Sequence, residues 1–248
     1  MASLHDTQDM QKLRAYQVEA LREVESRWRS GKRGVLLVAP TGSGKTTILA
    51  HLVSQHPADR VLFLAPWRQL VYQARDRLEE HEIPAEIIRR DNPRGERVQV
   101  ACVPTAARRQ LGEYDLIVVD EAHRSLAPQC KALLEKYPKA RLLGLTATPI
   151  RLDGKPLSSV FDGWVESIRF GDLVRQGYLV PHKVYGRPDR LSSKIRVDPK
   201  TRDYYPRHAA RIMGDPKLLG DAVQEYARHG NWKPCWCYCC TIPHAKAV

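Results

Sequence analysis

The chain has 248 residues, 43% of them hydrophobic and 27% charged, a balance that excludes a fibrous or largely disordered protein. Its net charge of +12 points towards a polyanionic partner, phosphate backbones being the commonest kind. No stretch approaches the roughly 20 apolar residues of a membrane span. The opening Met-Ala-Ser-Leu-His-Asp lacks the basic-then-apolar pattern of a secretory signal, so a cytoplasmic location with reduced cysteines is expected.

Leu13, Tyr16, Ala20, Val24 and Trp28 recur every three or four positions, which predicts a helix with one buried face. Residues 35–38 then form a short, wholly apolar run of the kind that is buried on both faces of a parallel sheet. Residues 61–64, 98–103, 116–119 and 142–145 have the same character, with helical patterns such as Leu70, Val71, Ala74 and Leu78 between them. The alternation predicts a doubly wound α/β domain over residues 1–150. Residues 151–230 are expected to form an extension or linker, with a helix from Lys217 to Arg228. Residues 231–248 are expected to begin a second domain.

Residues 39–46 read Ala-Pro-Thr-Gly-Ser-Gly-Lys-Thr between the first apolar run and a helical pattern, the context of a phosphate-binding loop. Thr41, Gly42, Ser43, Gly44, Lys45, Thr46 and Thr47 are the candidate nucleotide-binding residues. Glycines let backbone N–H groups wrap the phosphates, Lys45 reaches the β- and γ-phosphates of ATP, and the Thr46 hydroxyl ligates Mg²⁺. The loop alone does not choose among kinases, GTPases and motors. Residues 116–119 then deliver Asp120-Glu121-Ala122-His123 to the end of a strand, where open α/β sheets bind ligands. Asp120 is placed to hold Mg²⁺ and Glu121 to polarise an attacking water, so Lys45, Asp120 and Glu121 are the candidate catalytic residues.

Asp-Glu-Ala-His, followed by Thr146-Ala147-Thr148-Pro149, resembles motifs II and III of superfamily 2 DEAD/DEAH-box helicases, with the phosphate loop as motif I. Leu13-Arg14-Ala15-Tyr16-Gln17 is similar to the upstream motif of the XPB, type III restriction and RadD-like branch. The resemblance implies a RecA-like P-loop NTPase fold, with Gln17 reading the adenine edge. It also implies that His123, Thr146 and Thr148 couple the nucleotide to the interdomain cleft. Pro66, Arg68 and Gln69 fall in the equivalent of motif Ia and Thr105 in that of motif Ic. Both lie on the nucleic-acid track in such proteins, DNA being favoured over RNA.

Arg89, Arg90, Arg94, Arg97, Arg108 and Arg109 are further basic residues for which a solvated surface is the commoner explanation. Cys235, Cys237 and Cys239 alternate with a single residue between them, so a strand with one cysteine face is expected rather than a zinc site, whose ligand pairs usually have two to four residues between them. Superfamily 2 motors close their ATP cleft with arginines of a second RecA-like domain. The resemblance therefore implies a C-terminally truncated half that binds ATP, hydrolyses it weakly and does not unwind, unless another chain supplies the missing domain. A module that binds nucleic acid without productive hydrolysis is the alternative, and a P-loop kinase a more distant one.

Overall fold

The computed structural model describes residues 13–89, 95–124, 127–149, 157–185, 194–199 and 203–247. They fall into two compact units that meet in sequence between Pro181 and His182.

The first unit is built on a parallel sheet. In chain order its elements are α1 (Ala15–Arg29), β1 (Gly34–Val38), α2 (Lys45–Gln55), β2 (Val61–Ala65), α3 (Arg68–Glu80), β3 (Ala85–Ile87), β4 (Val98–Cys102), α4 (Val103–Ala107), β5 (Leu116–Asp120), a 3₁₀ turn (Ala122–Arg124), α5 (Pro128–Glu135), β6 (Arg141–Thr146), β7 (Gly163–Glu166) and α6 (Phe170–Arg175). The seven described strands lie in the order β3-β4-β2-β5-β6-β1-β7, and every pairing is parallel. β1 pairs with β6 from Gly34 opposite Leu142 to Val38 opposite Thr146, and β5 follows on the far side of β6. The carboxyl ends of β1 and β5 thus flank β6, which gathers the phosphate loop and the acidic pair at one rim of the sheet.

The central strands β1 and β2 are apolar and buried throughout, and β5 and β6 nearly so, because both of their faces are covered. On one face Val35 and Leu37 pack with Leu21 and Val24 of α1, Leu49 and Leu52 of α2, and Val71 and Leu78 of α3. On the other, Leu36, Leu62 and Ile117 pack with Ala106 of α4 and with Cys130, Leu133 and Leu134 of α5. Arg33 ties the chain after α5 to this layer by donating to the carbonyls of Leu134, Tyr137 and Ala140.

The expected α/β RecA-like architecture is present, with the short edge strand β3 added and three sequence expectations revised. The run 98–103 gives up its last residue, since α4 begins at Val103 with Pro104 in its first turn, where a missing N–H costs nothing. The sheet also extends past residue 150, because β7 pairs with β1. Third, no strand forms over residues 235–240: Cys235, Cys237 and Cys240 are exposed, with Trp236 and Tyr238 more than 90% exposed.

The second unit contains α7 (Pro206–Met213), α8 (Pro216–Gly230) and α9 (Ile242–Ala247). The helix expected from Lys217 to Arg228 is α8, which Asp215 caps by accepting from the Lys217 N–H. Asn231 ends it in the left-handed conformation. Among the described residues no helix is long and apolar enough to cross a membrane.

Candidate functional site

The phosphate loop leaves β1 with Ala39, whose N–H donates to the Thr146 carbonyl at 2.9 Å. Gly42 and Gly44 have φ of +82° and +79°, backbone that side-chain-bearing residues rarely adopt. Ser43 between them is fully buried, and its hydroxyl donates to the Pro40 carbonyl at 2.7 Å. Lys45 opens α2, and its ammonium donates to the carbonyls of Ala39 at 3.1 Å and Pro40 at 3.4 Å.

α1 braces this loop from behind. The Gln17 amide donates to the Ser43 carbonyl at 2.9 Å, and its oxygen accepts from the Arg14 N–H at 2.9 Å. The Tyr16 hydroxyl donates to the same Ser43 carbonyl at 2.8 Å. Tyr178 lies edge-on to Tyr16 with ring centroids 5.8 Å apart, and the Arg14 guanidinium stacks 4.0 Å from the Tyr178 ring. Leu179 reaches the loop so closely that a Cβ on Gly42 would lie 2.8 Å from its Cδ2. Sequence reasoning placed Tyr16 on the buried face of the first helix but gave Tyr16, Tyr178 and Leu179 no part in the site. They act through long-range packing that no local pattern announces.

The acidic pair ends β5. Burial raises the Asp120 carboxyl above its ordinary pKa, and the neighbouring Glu121 charge adds to the rise; a hydrogen bond from the Glu121 N–H and the Lys45 charge oppose it. Burial likewise lowers Lys45, opposed by Glu121 and Asp120. Glu121 has φ of +49°, unusual for a non-glycine residue and of the kind found at functional turns. His123 Nδ1 lies 3.3 Å from both the Glu121 carboxylate and the Thr146 hydroxyl. Thr146 is fully buried; its hydroxyl donates to the Thr148 carbonyl and accepts from the Thr148 N–H. His123, Thr146 and Thr148 therefore form one connected chain ending at Glu121.

Thr41, Lys45, Thr46, Asp120 and Glu121 line a single cavity of about 530 Å³, walled on its other side by Leu70, Gln73 and Arg77 of α3. Gly42, Ser43, Gly44 and Thr47 shape the loop without lining the cavity, and Gln17 faces the back of the loop. The donor set suits Mg-ATP. It combines a partly buried carboxylate, a hydroxyl and an ammonium around one cavity.

A second, larger cavity of about 690 Å³ is lined by Arg68, Tyr72, Arg89, Thr105, Arg108 and Arg109 among others. The Tyr72 hydroxyl beside Arg68 raises the guanidinium above its ordinary pKa. The structure thus brings Arg68 and Thr105 together and adds an aromatic ring that sequence reasoning had not placed among the arginines. Pro66 and Gln69 do not line this cavity, and Arg97 is turned away to the carbonyls of His56 and Asp59. Arg90 and Arg94 lie outside the described residues. Among the described residues no group of three or more His, Cys, Asp or Glu side chains is arranged to hold a metal.

Residues 10–151 match the family described as type III restriction enzyme, res subunit. The chain belongs to this family. Within it, the chain has the N-terminal RecA-like domain of superfamily 2 helicases. It is 30% identical over 193 residues to the putative mitochondrial ATP-dependent helicase irc3 of Schizosaccharomyces pombe, covering 70% of this chain and 32% of that protein. It is 31% identical over 151 residues to the DNA 3'-5' translocase XPB2 of Sulfurisphaera tokodaii, covering 59% and 33%. The UvsW helicase of bacteriophage T4 shares the fold at a TM-score of 0.53 and 17% identity, over 65% of this chain and 66% of that one. The chain spans less than half the length of the curated relatives it matches.

Proposed function

We propose that this superfamily 2 domain binds Mg-ATP in the cavity of about 530 Å³ and serves a helicase or translocase that moves on nucleic acid. The observation that carries this reading is the meeting of Lys45 and Thr46, from the start of α2, with Asp120 and Glu121, from the end of β5, in one cavity. In this reading Lys45 binds the β- and γ-phosphates, Thr46 and Asp120 hold Mg²⁺, and Glu121 orients and polarises the attacking water. Bound Mg²⁺ supplies charge neutralisation at the phosphate oxygens. Thr41, Gly42, Ser43, Gly44 and Thr47 present the loop to the phosphates. Gln17, rigidly bonded to the loop, selects the base, and His123, Thr146 and Thr148 relay nucleotide state.

The nucleic-acid partner is proposed to be DNA rather than RNA, a preference supported by the translocase relative, which is named for DNA. Pro66, Arg68, Gln69 and Thr105 would track its backbone, with the arginine-lined cavity supplying sequence-independent phosphate contacts. The ATP-binding domain is proposed to run to about residue 181, as β7 and α6 belong to its compact unit, and residues 231–248 to open a following RecA-like domain. Six free cysteines agree with a cytoplasmic setting. Arg77 is the one arginine lining the cavity among the described residues, and it is paired with Glu80 at 2.8 Å. The 248 residues alone are therefore proposed to bind ATP with weak turnover and no unwinding.

The test is hydrolysis of Mg-ATP by the purified chain with and without single- and double-stranded DNA, with Lys45→Ala as the blank. Slow turnover abolished in Lys45→Ala supports the reading. Turnover that survives Lys45→Ala contradicts it.

A further inference from the structure

The loop after β2 and the turn after β5 meet through one side-chain pair. The Arg124 guanidinium lies 4.8 Å from the centre of the Trp67 ring, and Trp67 is 56% exposed. Trp67 sits between Pro66 and Arg68, on the loop assigned above to nucleic acid, and precedes the first turn of α3. Arg124 ends the 3₁₀ turn after the acidic pair, and its N–H donates to the Glu121 carbonyl at 2.9 Å. Glu121 is thus held in its left-handed conformation from three sides: its N–H donates to Asp120, its carbonyl accepts from Arg124, and its carboxylate faces His123.

We propose that Arg124 and Trp67 form a positioning pair through which nucleic acid on the β2–α3 loop alters the setting of Glu121 in the nucleotide cavity. The proposal rests on the functional reading above. A guanidinium over an exposed indole is held weakly, by about 0.5–1 kcal/mol. A charge-assisted hydrogen bond to phosphate is roughly twice as strong as a neutral one and geometrically specific. A phosphodiester arriving beside Trp67 therefore draws Arg124 off the ring and with it the turn that fixes Glu121. Linkage makes the effect reciprocal, so nucleotide and nucleic acid change each other's affinity by one common factor. The strength of the stack sets that factor at about two- to five-fold.

The experiment titrates the whole 248-residue chain with a fluorescent ATP analogue and Mg²⁺, with and without a saturating single-stranded oligodeoxynucleotide. The ratio of the two dissociation constants is expected at about two- to five-fold for the unsubstituted chain. In Arg124→Ala and Trp67→Ala it falls to one, while each ligand alone still binds. Trp67→Phe, which keeps a ring face, retains most of the ratio, and the double alanine variant loses no more than either single one. A merely structural role would not separate the coupling ratio from the individual affinities in this way. Binding of both ligands with no coupling in the unsubstituted chain, or an undiminished ratio in Arg124→Ala, overturns the pair's role and leaves the functional reading intact. Failure of the unsubstituted chain to bind either ligand overturns both.

Discussion

Gly44 and Gln17 occupy adjoining space, and replacing the glycine should show how firmly α1 holds the phosphate loop. A Cβ at Gly44 would lie 2.4 Å from Gln17 Nε2, so the amide must move. Alanine at φ +79° costs about 1–2 kcal/mol in backbone strain. Displacing Gln17 breaks its bonds to the Ser43 carbonyl and the Arg14 N–H, worth together about 1–3 kcal/mol. Gly44→Ala should therefore destabilise the chain by about 2–5 kcal/mol. Gln17→Ala loses the same two bonds but opens the space that the new methyl needs. The double variant is thus expected to be less destabilised than the sum of the singles by about 1–3 kcal/mol. Gly42→Ala is the control, since its Cβ meets only the mobile end of Leu179 and should show the strain alone. Urea unfolding followed by tryptophan fluorescence reads all four stabilities. Strictly additive costs for Gly44→Ala and Gln17→Ala, or a Gly44→Ala cost below about 0.5 kcal/mol, would refute the claim that Gln17 is packed against this glycine.

Four further outcomes are expected. Lys45→Ala should weaken Mg-ATP binding by about ten- to hundred-fold, the loss of one charged hydrogen-bond donor, as measured by fluorescent-nucleotide titration. Glu121→Gln should leave nucleotide affinity nearly unchanged and lower turnover by about 10²–10⁴-fold in single-turnover assays. Arg68→Ala should weaken oligonucleotide binding evenly across sequences and reduce the slope of log affinity against log salt by about one. The His56 hydrogen bond holds the Glu25 carboxyl below its ordinary pKa of 4.5, at a distance of 2.7 Å. A depressed carboxylate contributes stability above its unfolded pKa and loses it as pH falls through the folded one. Glu25→Gln should therefore melt below the unsubstituted chain at pH 6, with the gap closing as pH drops beneath about 4, followed by circular dichroism.

What the sequence disclosed depended on whether the governing interactions were local. The phosphate loop and the acidic pair were legible because each is a contiguous stretch whose neighbours, a buried run before and a helix or turn after, define its geometry. The five central strands were legible because both faces are covered, leaving apolar runs that only Gln99 of β4 interrupts. β7 was not, since only Gly163 and Val165 of its four residues are buried while Trp164 and Glu166 face outward. β3 has three residues and only Ala85 fully buried, too little to stand out from a loop. The alternating cysteines of residues 235–240 had the right pattern for a strand, but a strand exists only with a partner, and none pairs with them among the described residues. The bracing of the loop by Tyr16 and Tyr178, and the stack of Arg124 on Trp67, join distant parts of the chain. They become visible only once the sheet order brings those parts together.

The central claim is that Lys45, Thr46, Asp120 and Glu121 form one Mg-ATP site, and equilibrium binding tests it most directly. Titration of the chain with a fluorescent ATP analogue should saturate in the presence of Mg²⁺ and weaken when the metal is chelated. Lys45→Ala should abolish most of the affinity, and Asp120→Asn should remove its Mg²⁺ dependence. Binding that is indifferent to Mg²⁺ and unchanged in both variants would contradict the account, whatever the cavity's shape suggests.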